Sequence, residues 1–174
     1  MNIVIRSAED AFDEVHLSPR NKWHVISLRD HDKVDSAPVD VVADKTVEML
    51  VMGIDDLWLE SQANDDGFPT REHLERILAW VKIRDRRNLL VHCTAGVSRS
   101  ASVAFLIACT LEPPEVAIKR LDVLKHFPNE HIMKLGSEIL DNPRIHEVGL
   151  EFLKSAVDAF KKMDREDEKK TVEV

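Results

Sequence analysis

Tyrosine is absent from the 174 residues, and only two cysteines, five glycines and seven prolines are present. Two cysteines cannot form the disulfide framework of a small secreted protein. There is no internal repeat and no linker rich in proline, glycine or serine. Since 44% of the residues are apolar, the composition predicts one globular domain rather than a disordered chain.

Long basic runs and long apolar runs are also absent. The net charge is −8, which disfavours a nucleic-acid or anionic membrane surface. The longest apolar run, residues 101–111, is far too short to span a membrane, and the N-terminus becomes charged at Arg6, unlike a signal peptide. We therefore expect a cytoplasmic protein with no membrane partner and with nucleic acid disfavoured as a partner.

Residue patterns predict an α/β fold. We expect residues 1–163 to form a single catalytic domain and the charged segment 164–174 to be a flexible tail. We expect a small central sheet of about four to five strands flanked by helices. Strands are predicted at 2–6, 23–28, 47–54 and 89–92, and helices at 70–82, 100–111, 113–125, from Asn129 onwards, and 144–163.

The segment that carries chemistry is residues 89–100, with the sequence LLVHCTAGVSRS. It predicts a buried strand, a tight loop and the start of an apolar helix, with Cys93 ending the strand and Arg99 starting the helix. Such a loop is an anion site, because free backbone N–H groups and the helix dipole both favour a phosphate dianion. Gly96 permits the turn, and the Arg99 guanidinium can bind two phosphate oxygens in a bidentate fork.

Cys93 is the predicted nucleophile. The field of the loop favours its thiolate, the form that attacks phosphorus. Ser100 is expected to hydrogen-bond this thiolate and to ease its departure in a second step. Fixed dipoles meet the phosphate charge, so no cofactor is required, and the scattered histidines offer no metal site. The predicted phosphate-binding residues are Thr94, Ala95, Gly96, Val97, Ser98 and Arg99.

The string VHCTAGVSRSAS resembles the signature of the protein tyrosine phosphatases, and specifically that of the dual-specificity branch. The segment FPNEHIMKL, residues 127–135, is similar to the family segment in which an asparagine steadies the phosphate loop. This resemblance implies supporting roles for Asn129 and for His92, which orients the loop in the family. It also implies the cysteine phosphatase fold and a cysteinyl-phosphate intermediate.

The general acid is expected to be an aspartate on a loop, because the leaving group needs a proton. In the family it follows a strand that precedes the cysteine. The predicted strand 47–54 ends in Asp55-Asp56, and Asp56 fits this position better, with Asp55 as runner-up. Asp65 and Asp66 lie in a turn sequence, NDDG, where turn formation is the more natural role.

Together these features predict a phosphomonoester hydrolase of the protein tyrosine/serine/threonine phosphatase type, acting on a phosphorylated protein or a small aryl phosphate. The alternatives are a catalytically weak phosphate-binding module and an RNA 5′-phosphatase. A further alternative is sulfur transfer or arsenate reduction by a similar cysteine loop. Five acidic residues between Asp55 and Asp66 suggest a rim that disfavours polyanionic substrates.

Overall fold

The computed structural model describes residues 1–34, 45–62, 65–83 and 88–172, with residue 60 and residues 164–172 described by their backbone alone. Within these ranges the sheet has four strands, all parallel, in the order β1-β4-β2-β3. The strands are β1 (Asn2–Arg6), β2 (His24–Arg29), β3 (Glu48–Gly53) and β4 (Asn88–His92). The α/β class and the small sheet flanked by helices are thereby confirmed.

Six α-helices accompany the sheet in the described ranges. They are α1 (Ala8–Leu17), α2 (Arg71–Lys82), α3 (Arg99–Cys109), α4 (Pro114–Ala117), α5 (Glu130–Ile139) and α6 (Arg144–Val172). Helix α3 is buried from Arg99 to Ala108, as its apolar sequence on all sides predicts. It packs in the main core together with the inner strands, and Phe105 is among the largest fully buried side chains.

Two helices differ from the sequence prediction. Helix α1 was not predicted, because only Ala11 and Val15 of its ten residues are buried and the apolar period is weak. The helix predicted at 113–125 was wrong in its length, since α4 ends at Ala117 and is followed by a short 3₁₀ turn, Ile118–Arg120. Beyond this turn the Asp122 carboxylate accepts a hydrogen bond from the backbone of Leu124, and such local bonds compete with a helix.

Helix α6 continues beyond the predicted 144–163 and includes backbone of the segment expected to be a tail. Residues 173 and 174 of that segment lie outside the described residues, and its flexibility stays a prediction. No helix in the part of the chain that the structure describes is long and apolar enough to cross a membrane.

The parallel sheet sets the position of the candidate site. The carboxyl ends of parallel strands meet at one edge, where α/β proteins bind their ligands. Asp30 directly follows β2, Cys93 directly follows β4, and Asp55 and Asp56 come shortly after β3. Residues far apart in sequence are thus placed at one edge.

Candidate active site

Residues 93–98, the loop predicted to bind phosphate and called the phosphate loop below, join β4 to α3. Gly96 has a φ of +73°, and a Cβ at this position would lie 2.5 Å from the backbone nitrogen of Ser7. Only glycine meets both conditions, because other residues strain at positive φ. Two backbone hydrogen bonds anchor the loop, one from the Ala8 N–H to the Thr94 carbonyl (3.2 Å) and one from the Phe127 N–H to the Val97 carbonyl (3.0 Å).

Cys93 lies at the base of the loop and is 2% exposed. Its Sγ is 3.2 Å from Oγ of Ser100, the contact that the sequence predicted. Cys109 ends α3, and a helix rises about 1.5 Å per residue, so the two cysteines lie too far apart for a disulfide. Burial raises the pKa of the Cys109 thiol to about 12, with a further contribution from Glu112.

Arg99 is held along one edge of its guanidinium. Its Nη1 donates to the Asp30 carboxylate at 2.8 Å and to the Ile54 carbonyl at 2.7 Å. Its Nη2 donates to Oγ1 of Thr94 at 3.1 Å. Nε is buried and has no hydrogen-bond partner among the described residues. The Nε–Nη2 edge is therefore the one available to two oxygens of a phosphate, the bidentate geometry that arginine prefers.

Asp30 is a site residue that the sequence analysis missed. Lys33 and Arg99 hydrogen-bond its carboxylate and hold its pKa below the usual range, against the opposing effect of burial. Its position directly after a strand could have indicated it, because Asp55 and Asp56 were predicted from their position after the neighbouring strand. The pairing with Arg99 itself depends on contact across 69 positions of sequence.

Asp56 contacts the phosphate loop. Its Oδ1 accepts a hydrogen bond from Oγ of Ser98 at 2.7 Å and another from Nδ2 of Asn129 at 3.0 Å. Both bonds go to one oxygen, and no hydrogen bond to Oδ2 occurs within the described ranges. This arrangement orients the carboxyl group and leaves Oδ2 able to carry a proton.

Asp55 contacts His31 instead. Its carboxylate accepts from the backbone N–H of His31 at 2.8 Å and pairs with the His31 ring at 2.7 Å. This hydrogen bond raises the pKa of His31. Asp65 lies in a turn, where its N–H donates to the Gln62 carbonyl. The structure thus brings Asp56 to the phosphate loop, and it shows Asp55 in a different contact.

Asn129 caps α5 and links three parts of the site. Its Oδ1 accepts from the Ile132 N–H at 3.1 Å, while Nδ2 donates to Asp56 and to the Leu57 carbonyl at 2.9 Å. Its backbone N–H donates to Oγ of Ser102, whose hydroxyl bonds the Ser98 carbonyl. Asn129 therefore connects α5, the loop after β3 and the phosphate loop.

His92 ends β4 and is 3% exposed. Burial, together with the positive charge of Arg29, lowers the pKa of His92 to about 4, so the ring is neutral near pH 7. A contact between the ring and the backbone of Cys93 opposes this lowering of the pKa. Its expected role in orienting the loop stays a prediction.

Across the described part of the chain, no group of three or more His, Cys, Asp or Glu residues is placed to hold a metal ion. The positive groups facing a bound phosphate would be Arg99 and the loop's backbone N–H groups.

Comparison by sequence gives one curated relative. The chain is 36% identical over 83 residues to dual specificity protein phosphatase 12 of Homo sapiens, a match that covers 42% of this chain and 23% of that protein. The chain thus matches less than a quarter of the relative's length. No family model matches the chain.

Comparison by structure gives the fold. Tk-PTP in the active form superimposes with a TM-score of 0.56 at 18% identity, covering 81% of this chain and 92% of that one. The PTP-2 phosphatase of Cydia pomonella has a TM-score of 0.55 at 22% identity, covering 79% and 85%. DUSP15 has a TM-score of 0.56 at 17% identity, covering 88% and 91%. The cysteine phosphatase fold expected from the sequence is confirmed.

Proposed function

The sequence match and the shared fold support a dual-specificity type member of the protein tyrosine phosphatase superfamily, and from this premise we propose a phosphomonoester hydrolase with a cysteinyl-phosphate intermediate. The observation that carries the proposal is the buried Nε of Arg99, which has no hydrogen-bond partner among the described residues and ends the loop that begins at Cys93. A buried donor without an acceptor costs free energy. A phosphate oxygen would satisfy it.

In the first step, the Cys93 thiolate attacks phosphorus and the bond to the leaving oxygen breaks. Arg99 and the loop amides of residues 94–98 stabilise the charge on the transferring phosphoryl group. Asp56 donates its proton to the leaving oxygen, which departs as an alcohol or phenol.

In the second step, the Asp56 carboxylate takes a proton from water, and the resulting nucleophile attacks the cysteinyl phosphate. The sulfur–phosphorus bond breaks and phosphate is released. The Ser100 hydroxyl, 3.2 Å from Sγ, donates a hydrogen bond to the departing thiolate and thereby favours this step.

Asp56 is preferred to Asp55 as the acid because of its contacts. Ser98 precedes Arg99 in the loop, and its hydrogen bond to the Asp56 carboxyl supports this assignment. The Asp55 carboxylate is already occupied by His31. We propose a phosphorylated protein as the substrate, with small aryl phosphates hydrolysed as model compounds.

The test is hydrolysis of an aryl phosphate in the presence of EDTA. Wild type should turn over and ignore the chelator, whereas Cys93→Ser should be inactive. Cys109→Ser is the matched control, since it makes the same exchange at the far end of α3, and it should retain turnover. Hydrolysis by Cys93→Ser at the wild-type rate would overturn the proposal.

A further inference from the structure

A groove of about 920 Å³ opens beside the phosphate loop. Residues 95–97 of the loop form part of its wall, and Ala95 is exposed there. Helix α1 forms one side, and Asp122, residues 124–127 and Phe160 of α6 form the other. The groove thus shares residues 95–97 with the loop at which phosphate is proposed to bind, although Cys93 and Arg99 do not line it.

One face of α1 supplies the first wall. Asp10, Asp13, Glu14 and Leu17 all line the groove, and their spacing of three or four residues places them on one side of a helix. The opposite face buries Ala11 and Val15. The amphipathic helix therefore directs three of its four carboxylates towards the groove.

The groove carries an excess of negative charge. Four carboxylates line it against two cationic side chains, Arg6 and Lys125. Both cations are paired within the groove: Arg6 with Glu14 at 3.2 Å and Lys125 with Asp122 at 3.9 Å. Asp10 and Asp13 are exposed and have no ion pair among the described residues.

His126 adds no compensating charge at neutral pH. Burial lowers its pKa, despite the opposing effect of Asp122. Its Nδ1 accepts from the backbone N–H of Asp122 at 2.8 Å, which further favours the neutral ring. The carboxylates of Asp10 and Asp13 therefore remain the uncompensated charges of this surface.

Apolar side chains lie in the same groove. Leu17 is 83% exposed, Leu124 48% and Phe160 41%, and the Phe160 ring packs edge-on against Phe127 with the centroids 5.0 Å apart. The unpaired carboxylates suit the charged head of a lysine or arginine side chain. The exposed aliphatic and aromatic groups suit the apolar stem of that side chain and a neighbouring apolar residue.

We propose that this groove binds the segment of a phosphorylated protein that flanks the phosphorylated residue, and that this segment carries lysine or arginine with an apolar neighbour. The inference rests on the proposed function, and it adds a substrate class. Polyanionic substrates such as inositol polyphosphates or RNA 5′ ends would meet repulsion from the same carboxylates.

Two measurements test the groove. The first is kcat/KM of wild type for three phosphotyrosine peptides that differ in one flank, which carries two lysines, two glutamines or two glutamates. The second is fluorescence anisotropy of the same peptides on Cys93→Ser. At low salt the value for the lysine peptide should exceed that for the glutamate peptide about tenfold, because the lysines form ion pairs with the two carboxylates and the glutamates are repelled by them. The preference should shrink at high salt.

Substitutions in α1 test whether the groove causes the preference for the lysine peptide. Asp10→Asn and Asp13→Asn should each reduce the lysine-to-glutamate ratio by about threefold, in line with the loss of one such ion pair. Glu9→Gln is the matched control: it removes one charge from the same exposed first turn of α1 but does not line the groove, and its ratio should equal that of wild type.

The outcomes separate the two proposals. Peptide preference on Cys93→Ser without turnover by wild type would sink the proposed function alone. Turnover with a ratio near one, or a ratio that Asp10→Asn and Asp13→Asn leave unchanged, would overturn the groove. Faster turnover of an inositol polyphosphate or of a 5′-phosphorylated RNA than of the lysine peptide would also overturn it.

Discussion

Asp30 and Arg99 are 69 positions apart in sequence, yet Nη1 of Arg99 donates to Oδ1 of Asp30 at 2.8 Å. The arginine side chain is 6% exposed and the aspartate side chain 30%. A guanidinium this deeply buried needs a fixed partner, and Asp30 supplies it from the end of β2. The pair turns Nε and Nη2 towards the phosphate loop, where Nη2 meets Thr94.

Asp30→Asn should weaken phosphate binding. The amide keeps the size of the side chain but loses the charge that orients Arg99, so inhibition by vanadate should weaken about tenfold, the effect of losing about 1.4 kcal/mol. Asp32→Asn is the control, since Asp32 is an exposed neighbour and should leave inhibition unchanged. Tighter vanadate binding by Asp30→Asn would show that removing a negative charge outweighs orientation.

Asp56→Asn should lower turnover by about 10²-fold when the leaving group is poor, the usual scale of general acid catalysis. An activated aryl phosphate, whose phenolate leaves unaided, should be affected much less. Ser98→Ala should also lose more turnover with a poor leaving group than with an activated one, but the loss should be smaller. The substitution removes one of the two hydrogen bonds that orient Asp56.

Asp55→Asn is the control for this series. Any loss of turnover relative to wild type should be the same for poor and for activated leaving groups, since Asp55 contacts His31 rather than the loop. A larger loss in Asp55→Asn than in Asp56→Asn would transfer the role of acid to Asp55 and leave the remaining mechanism intact.

Gly96→Ala should destabilise the protein. The new methyl group would meet the backbone of Arg6 and Ser7 at 2.5–2.8 Å in a residue held at a φ of +73°. Left-handed backbone and overpacking should together lower the free energy of unfolding by about 2 kcal/mol or more, measured by urea denaturation. Ala95→Ser, at an exposed loop position, should unfold like wild type, and equal stability of Gly96→Ala would refute the packing argument.

Acid should destabilise the protein through His92. Its pKa in the folded chain is about 4 because of burial and Arg29, against about 6.5 in an unfolded chain. Between these values the unfolded chain takes up a proton that the folded chain does not, so stability is full above pH 6.5 and falls as the pH drops towards 4. The loss is about 3 kcal/mol over the whole window.

Urea denaturation across this pH range tests the histidine. The free energy of unfolding of His92→Asn should depend less on pH than that of wild type. His16→Asn, which changes an exposed histidine on α1, should retain the wild-type slope. Identical slopes for wild type and His92→Asn would show that another group causes the loss.

Local patterns predicted most elements because their signals are local. Leu74, Ile77 and Val81 recur at helical spacing, and they form the buried face of α2 together with Trp80. A helix apolar on all sides predicted the burial of α3. Prediction failed for α1, whose sequence has few apolar residues. It also failed after Pro113, where α4 ends at Ala117 and a 3₁₀ turn follows.

The sequence by itself determined the chemistry of the phosphate loop, because Cys93, Gly96 and Arg99 lie within seven consecutive residues and one turn brings them together. Only the tertiary structure decided which groups surround that loop. The parallel sheet places the ends of β2, β3 and β4 at one edge, and so Asp30 reaches Arg99. The position of α5 gave Asp56 its contact with Asn129. Contacts across this sequence distance depend on packing, for which local periodicity holds no signal.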